Sequence, residues 1–177
     1  KRGLLANNLV VTTTLGNYGV ERYLGGFGIR MVRSDVGDRN VIYTMKEHNA
    51  ALGGEPCGHI IVHEVSTTGD GMMAALQVLA AMRQNEVPLS SLCKDIPLYP
   101  SVAANVAVHA KVPLEDCPTL CQAQADARQR LGDAGRVIIR YSGTENKLRI
   151  LVDGQDSRMI QQILERLCEA ARADIRT

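Results

Sequence analysis

Two short apolar runs, Val137-Ile138-Ile139 and Leu148 to Val152, stand on either side of the hexapeptide Arg140-Tyr141-Ser142-Gly143-Thr144-Glu145. Both are rich in β-branched residues and too short for helices, so they read as strands. The hexapeptide is then a loop held between two strands of a sheet. Its composition suits an oxyanion. Arg140 offers a planar fork of donors that grips two oxygens at once. Ser142 and Thr144 add hydroxyl donors, and Gly143 lets backbone amides approach an anion closely. Arg149, on the following strand, supplies a second cation if its side chain points back to the loop. The same residues also make an ordinary tight hairpin, with Arg and Glu as a surface ion pair. The hexapeptide alone leaves both readings open.

A second motif lies far upstream, Gly53-Gly54-Glu55-Pro56-Cys57-Gly58-His59. A glutamate flanked by small polar groups accepts hydrogen bonds from two neighbouring sugar hydroxyls. His59 donates to a phosphate or relays a proton. Taken alone, this stretch equally suits a plain helix-to-strand connection with a capped glutamate.

Composition narrows the alternatives. With one Phe, no Trp and five Tyr, the core must be aliphatic. Scarce aromatics also argue against single-stranded nucleic acid as a partner, since such sites need stacking platforms. The formal net charge is +1 with both signs interspersed, which gives neither a polyanion-binding face nor a basic membrane patch. No apolar run is long enough to span a bilayer, and Lys1-Arg2 leads into too short an apolar patch for a signal peptide. The five cysteines are irregularly spaced. Without C-x-x-C pairs they predict neither a disulfide framework nor a structural zinc site. Cys117 and Cys121 share a helix face as small, partly buried residues. The expected setting is reducing and cytoplasmic.

Along the chain, Leu9 to Thr14 reads as a strand. Asn17 caps a short helix that runs through Leu24 and stops at Gly25-Gly26. Gly28 to Arg33 reads as a second strand, and Ser34 to Asp38 as a polar loop. A helix is expected from Asn40 to Leu52, with Val41, Met45 and Leu52 toward the core and Gly53-Gly54 ending it. A third strand covers His59 to His63. Asp70 starts a helix over Gly71 to Gln84 that is apolar nearly all round, which predicts burial in a layered core. This is the pattern of an α/β sandwich domain, a mixed sheet between helices, over residues 1–88. Pro88, Pro97 and Pro100 mark a linker over 89–100, with a short helix at Leu89 to Cys93. Residues 101–177 then read as a strand at Asn105 to Lys111, a helix at Thr119 to Leu131, the hairpin, and an amphipathic helix from Asp156 to Ala173. That order is a smaller α+β domain, an antiparallel sheet with helices on one face.

The two loops together resemble the carboxyl half of the α-D-phosphohexomutase superfamily. In that family a G-E-x-S-G-H loop on the third domain binds sugar hydroxyls, and an R-x-S-G-T-E-P loop on the fourth clamps the substrate phosphate. Val36-Gly37-Asp38-Arg39, Thr67-Thr68-Gly69-Asp70-Gly71 and Leu76-Gln77-Val78-Leu79 look like the phosphoglucosamine mutase branch. The resemblance covers nearly the whole chain and implies a TATA-binding-protein-like second domain. It implies sugar binding by Glu55, Cys57, His59, Gly37, Asp38 and Arg39, and phosphate binding by Arg140, Ser142, Gly143, Thr144 and Arg149. Two residues depart from the pattern. Cys57 replaces the usual Ser, a weaker donor, and Asn146 replaces the usual Pro.

A member of this family has four domains. The first carries a phosphoserine and the second an aspartate-rich Mg2+ loop, and neither motif is present here. The chain is therefore expected to be the third and fourth domains alone, inactive by itself, with no catalytic residue and no metal ligand of its own. The implied partners are a phosphorylated hexosamine and the remaining domains of the same protein. The implied reaction interconverts glucosamine 6-phosphate and glucosamine 1-phosphate through glucosamine 1,6-bisphosphate. The competing expectations are the corresponding part of a phosphoglucomutase or phosphomannomutase, or a sugar-phosphate-binding module that never catalyses.

Overall fold

The β-branched run Leu9–Thr13 forms the first strand, β1, with Leu9, Val10 and Val11 buried. The structure is a computed structural model that describes residues 5–175, and it divides into two units, Lys1–Leu98 and Tyr99–Thr177. In the first unit β1 lies between two parallel neighbours, β2 (Arg30–Ser34) and β3 (Leu52–Gly54). Strand β4 (Ile60–Val62) pairs antiparallel with β3 and completes a mixed sheet of order β2-β1-β3-β4. Helix α1 (Tyr18–Gly25) is capped by Asn17, whose side chain accepts the Gly19 N–H at 2.9 Å. Helix α2 (Asp38–His48) buries Val41 and Met45 against Leu9, Val11, Ala50 and Ile61. Helix α3 (Gly71–Asn85) starts at Asp70, which accepts the Met72 and Met73 N–H groups at 3.0 Å. A short helix α4 (Leu89–Cys93) follows.

Four expectations for this unit are corrected. Helix α2 stops at His48, where Asn49 turns left-handed with φ 50°, and does not reach Leu52. The Leu52-Gly53-Gly54 stretch, expected to end that helix, is instead strand β3 inside the sheet. Packing accounts for the glycine. A Cβ on Gly53 would collide with the Met45 sulfur and stand 2.9 Å from the Val41 Cγ1, so α2 lies against β3 only because Gly53 has no side chain. Strand β2 also begins later than expected, at Arg30. The fourth correction concerns α3. Of its residues only Ala74 is buried, while Met72 is 79% exposed and Leu76 and Leu79 are also exposed. Its apolar composition does not translate into burial within this unit.

The second unit is an antiparallel sheet of order β5-β7-β6, built from β5 (Ser101–Ala107), β6 (Gly135–Tyr141) and β7 (Lys147–Gly154). Helices α5 (Pro118–Leu131) and α6 (Ser157–Asp174) pack on one face. Alternation along β7 turns Leu148, Ile150 and Val152 into a core shared with Leu120, Leu131, Ile160, Ile163 and Leu167. Each such side chain contributes about 1.5–3 kcal/mol relative to exposure. The strand expected over Asn105 to Lys111 lies earlier, because β7 pairs with Ser101–Ala107 and the last backbone bond, Val108 N–H to Asn146 O, falls just beyond it. Asp156 caps α6, accepting the Arg158 and Met159 N–H groups. Asp174 at the other end of α6 accepts the Leu120 N–H of α5 at 2.8 Å and so ties the helices together. Burial alone would raise the Asp174 pKa, but bonds from the Thr119 side chain and from the Leu120 and Thr119 amides hold it below the ordinary carboxylate range.

Candidate functional site

The second unit presents the hairpin between β6 and β7. Arg140 and Tyr141 are the last residues of β6, so the turn proper is 142–146, shorter than the hexapeptide suggested. The register sets the side chains. Arg140 pairs with Arg149 across β6 and β7, and Asn105 of β5 pairs with Arg149 on its other side. Leu148 and Ile150 face the helices, so Arg149 and its partners stand on the opposite, open face. Two guanidinium groups directly opposite repel each other unless an anion intervenes.

Glu145 supplies part of that anion. Its carboxylate accepts from Lys147 Nζ at 2.6 Å and from Arg149 at 3.0 Å. The Lys147 hydrogen bond, then that of Arg149, holds its pKa below the ordinary carboxylate range. Arg140, Lys147 and Arg149 carry three positive charges and Glu145 one negative, so the hairpin is left with a charge of +2. Among the described residues the Arg140 side chain has no hydrogen bond or ion pair to protein. The Arg149 Nε is buried without a partner. Lys111 Nζ approaches the Gly143 carbonyl at 3.4 Å and adds a further cation at the turn. An unpaired guanidinium beside surplus positive charge favours an anion.

The turn's small residues divide into two kinds. Ser142 is buried, and its Oγ accepts from Arg149 at 3.2 Å and from the Glu145 N–H at 3.4 Å. Its first role is to brace the turn, and its one hydroxyl proton remains to donate. Gly143 and Thr144 are exposed. A Cβ on Gly143 would meet nothing within 4 Å, and its φ is not positive, so no protein neighbour requires a glycine there.

The first unit presents the tight connection between β3 and β4. The Glu55 N–H donates to the His59 carbonyl at 2.8 Å and the Gly58 N–H to the Glu55 carbonyl at 3.0 Å. Gly58, with φ 99°, makes the turn. Glu55 and His59 are therefore a cross-strand pair, with Cys57 at the tip two residues from each. All three side chains converge: Cys57 Sγ lies 3.8 Å from Glu55 Oε2 and 3.6 Å from His59 Nδ1, which is 3.4 Å from the same oxygen. The Glu55 side chain is only 7% exposed, and its other oxygen accepts the Gly37 N–H at 2.9 Å. Gly37 precedes α2, so the helix entry fixes the carboxylate. Asp38 folds back on the Arg39 N–H at 2.8 Å, and both residues are exposed.

The structure thus brings Glu55, Cys57, His59 and Gly37 together, and separately Arg140, Ser142 and Arg149. Asp38 and Arg39 stand beside the first group without bonding to it. Sequence reasoning missed Lys147 and Lys111, which bring further cations to the turn. Their signal lay in strand register and in the approach of a distant loop, neither of which the local motif carries.

A mixed α/β unit bearing a buried carboxylate loop, followed by a three-stranded α+β unit bearing a cationic hairpin, defines the chain as phosphohexomutase-like. A family model described as phosphoglucomutase/phosphomannomutase, alpha/beta/alpha domain III, matches residues 1–99, and one for the C-terminal domain of the same family matches residues 101–170. The chain belongs to the phosphoglucomutase/phosphomannomutase family. It is 41% identical over 176 residues to a phosphoglucosamine mutase of Nitratidesulfovibrio vulgaris strain Miyazaki F, which covers 99% of this chain and 39% of that protein. A phosphoglucosamine mutase of Chlamydia pneumoniae is 42% identical, covering 100% of this chain and 39% of its own length. The chain therefore spans about two fifths of the curated relatives it matches. Among solved structures, the fold is shared with Aspergillus fumigatus N-acetylphosphoglucosamine mutase, with a TM-score of 0.77 at 17% identity over 96% of this chain and 39% of that one. The same enzyme in complex with GlcNAc-6P and magnesium gives a TM-score of 0.71 at 18% identity, again over 96% and 39%. No helix among the described residues is long and apolar enough to cross a membrane.

Proposed function

We propose that this chain supplies the sugar- and phosphate-binding loops of a phosphoglucosamine mutase, an enzyme that interconverts glucosamine 6-phosphate and glucosamine 1-phosphate. The observation that carries the reading is the hairpin charge of +2 with Arg140 unpaired, which matches a phosphate dianion. Arg140 and Arg149 bind the phosphate that is not reacting, with Thr144 and the Gly143 amide completing its oxygens. Glu55, held by the Gly37 N–H, accepts from sugar hydroxyls, and His59 and Cys57 stand beside it. Binding energy from the unreacting phosphate serves to orient the other end of the sugar for transfer.

Phosphoryl transfer itself, through a phosphoserine and a bisphosphorylated sugar, belongs to the part of the relatives' length that this chain does not span. Magnesium fits that part as well. Among the described residues one group of three or more His, Cys, Asp and Glu donors converges, and it is Glu55, Cys57 and His59. A thiol and an imidazole are poor ligands for an ion that takes six oxygens. This chain's share of the reaction is binding and orientation.

An amide NMR titration with glucosamine 6-phosphate tests the reading, with glucose and mannose 6-phosphates as comparisons. Shifts concentrated at 142–149 and 53–59, strongest for the amino sugar, are expected. Shifts elsewhere, or none in these loops at saturating ligand, would overturn it.

A further inference from the structure

The Glu55, Cys57 and His59 side chains meet in a way that sugar binding does not require. Their three donor atoms form a triangle with sides of 3.4, 3.6 and 3.8 Å. A tetrahedral zinc ion, with Zn–S about 2.3 Å and Zn–N and Zn–O about 2.0–2.2 Å, sets its ligand atoms about 3.3–3.6 Å apart. The observed triangle is close to one face of that tetrahedron. A nucleophilic triad is a poorer account of the same residues. In a triad the imidazole bridges its partners through opposite ring nitrogens, whereas here thiol and carboxylate both approach His59 Nδ1.

We infer that Glu55 Oε2, Cys57 Sγ and His59 Nδ1 form a three-ligand site for a borderline-soft divalent ion of the Zn2+ class, with its fourth position open to solvent. Glu55 and His59 face each other across the turn, and Cys57 stands between them at its tip. The Gly37 N–H bond to Glu55 Oε1 turns Oε2 toward Cys57 and His59 and fixes its direction, as an outer partner of a metal ligand does. Cys57 and His59 are exposed, which gives the ion a path in and leaves room for a water in the fourth position. On binding, the Cys57 S–H bond breaks, its proton passes to solvent and the thiolate forms the Zn–S bond. Where the related motif has Ser, this chain has Cys, and that exchange changes a hard, neutral hydroxyl into a thiolate ligand.

The site uses the carboxylate assigned above to sugar hydroxyls. Zinc and phosphosugar therefore exclude each other there, a consequence that rests on the proposed function, whereas the metal site itself does not.

Calorimetric titration of ZnCl2 into the chain under reducing conditions tests the site. One equivalent is expected, with Cys57→Ser and His59→Ala each weakening binding by about tenfold or more. Both residues are exposed, and circular dichroism of the variants checks that the fold is kept. Co2+ in place of zinc is expected to show a thiolate-to-metal charge-transfer band that Cys57→Ser abolishes and Cys121→Ser leaves intact. No zinc binding, or binding that Cys57→Ser leaves unchanged, would overturn the site. Zinc binding that leaves glucosamine 6-phosphate shifts at 53–59 unaltered would overturn the competition alone.

Discussion

Arg140 and Arg149 are the same residue type on facing positions, yet they do different work. Arg149 is tied to Glu145 and to the Ser142 hydroxyl, while the Arg140 side chain has no protein partner among the described residues. Removing the Ser142 hydroxyl leaves donors from Arg149 and from the Glu145 amide without an acceptor. Ser142→Ala is expected to cost the second unit about 1–3 kcal/mol in urea denaturation. Glu145 makes the hairpin pH-sensitive. Its folded pKa is depressed, first by Lys147 and then by Arg149. Its stabilising contribution is therefore complete above the ordinary carboxylate pKa and is lost as pH falls through the depressed one. Melting temperatures of the wild type and Glu145→Gln should differ at neutral pH and converge in acid. The residue motifs were legible because chemistry that grips an anion or a hydroxyl pair needs particular residues close together in the chain. The thiol at position 57 was legible only as a departure from the family's serine. Its convergence with Glu55 and His59 needed the tight turn at Gly58 to be seen.

At the scale of elements, strand β3 is the instructive case. Leu52-Gly53-Gly54 has no β-branched residue, and it follows a helical pattern, so it reads as a helix end. The pairing of β1 with it, and the close seat of Met45 and Val41 over Gly53, make it a strand. Tertiary packing overrides local propensity there. Gly53→Ala should force α2 away from the sheet, destabilising the first unit by about 1–3 kcal/mol in thermal or urea unfolding. Helix α3 misled for a related reason. Its all-round apolar pattern predicts burial, but Met72, Leu76 and Leu79 are exposed within this unit, and a sequence does not say which neighbour covers an apolar face. By contrast, α6 was readable nearly to the residue. Its apolar positions recur at helical spacing and Asp156 marks its start.

At the scale of the whole molecule, the two units carry separate cores of different size. Among the described residues nineteen buried residues form the cluster in the second unit and six that in the first, so the second should be the more stable. Scanning calorimetry is expected to resolve two transitions, with Gly53→Ala lowering the earlier and Ser142→Ala the later. A single transition moved equally by both substitutions would contradict this. The order of elements was legible throughout the second unit, where alternation and amphipathicity agree. It was less so in the first, where a glycine-built strand carries no pattern.

On the proposed function, Arg140 binds the phosphate of a sugar phosphate. The most direct measurement is the dissociation constant for glucosamine 6-phosphate of the wild-type chain and of Arg140→Ala, with melting temperature followed in parallel. About tenfold or greater weakening is expected, the scale of a lost charge-assisted contact, with an unchanged melting temperature. An unchanged dissociation constant would contradict it.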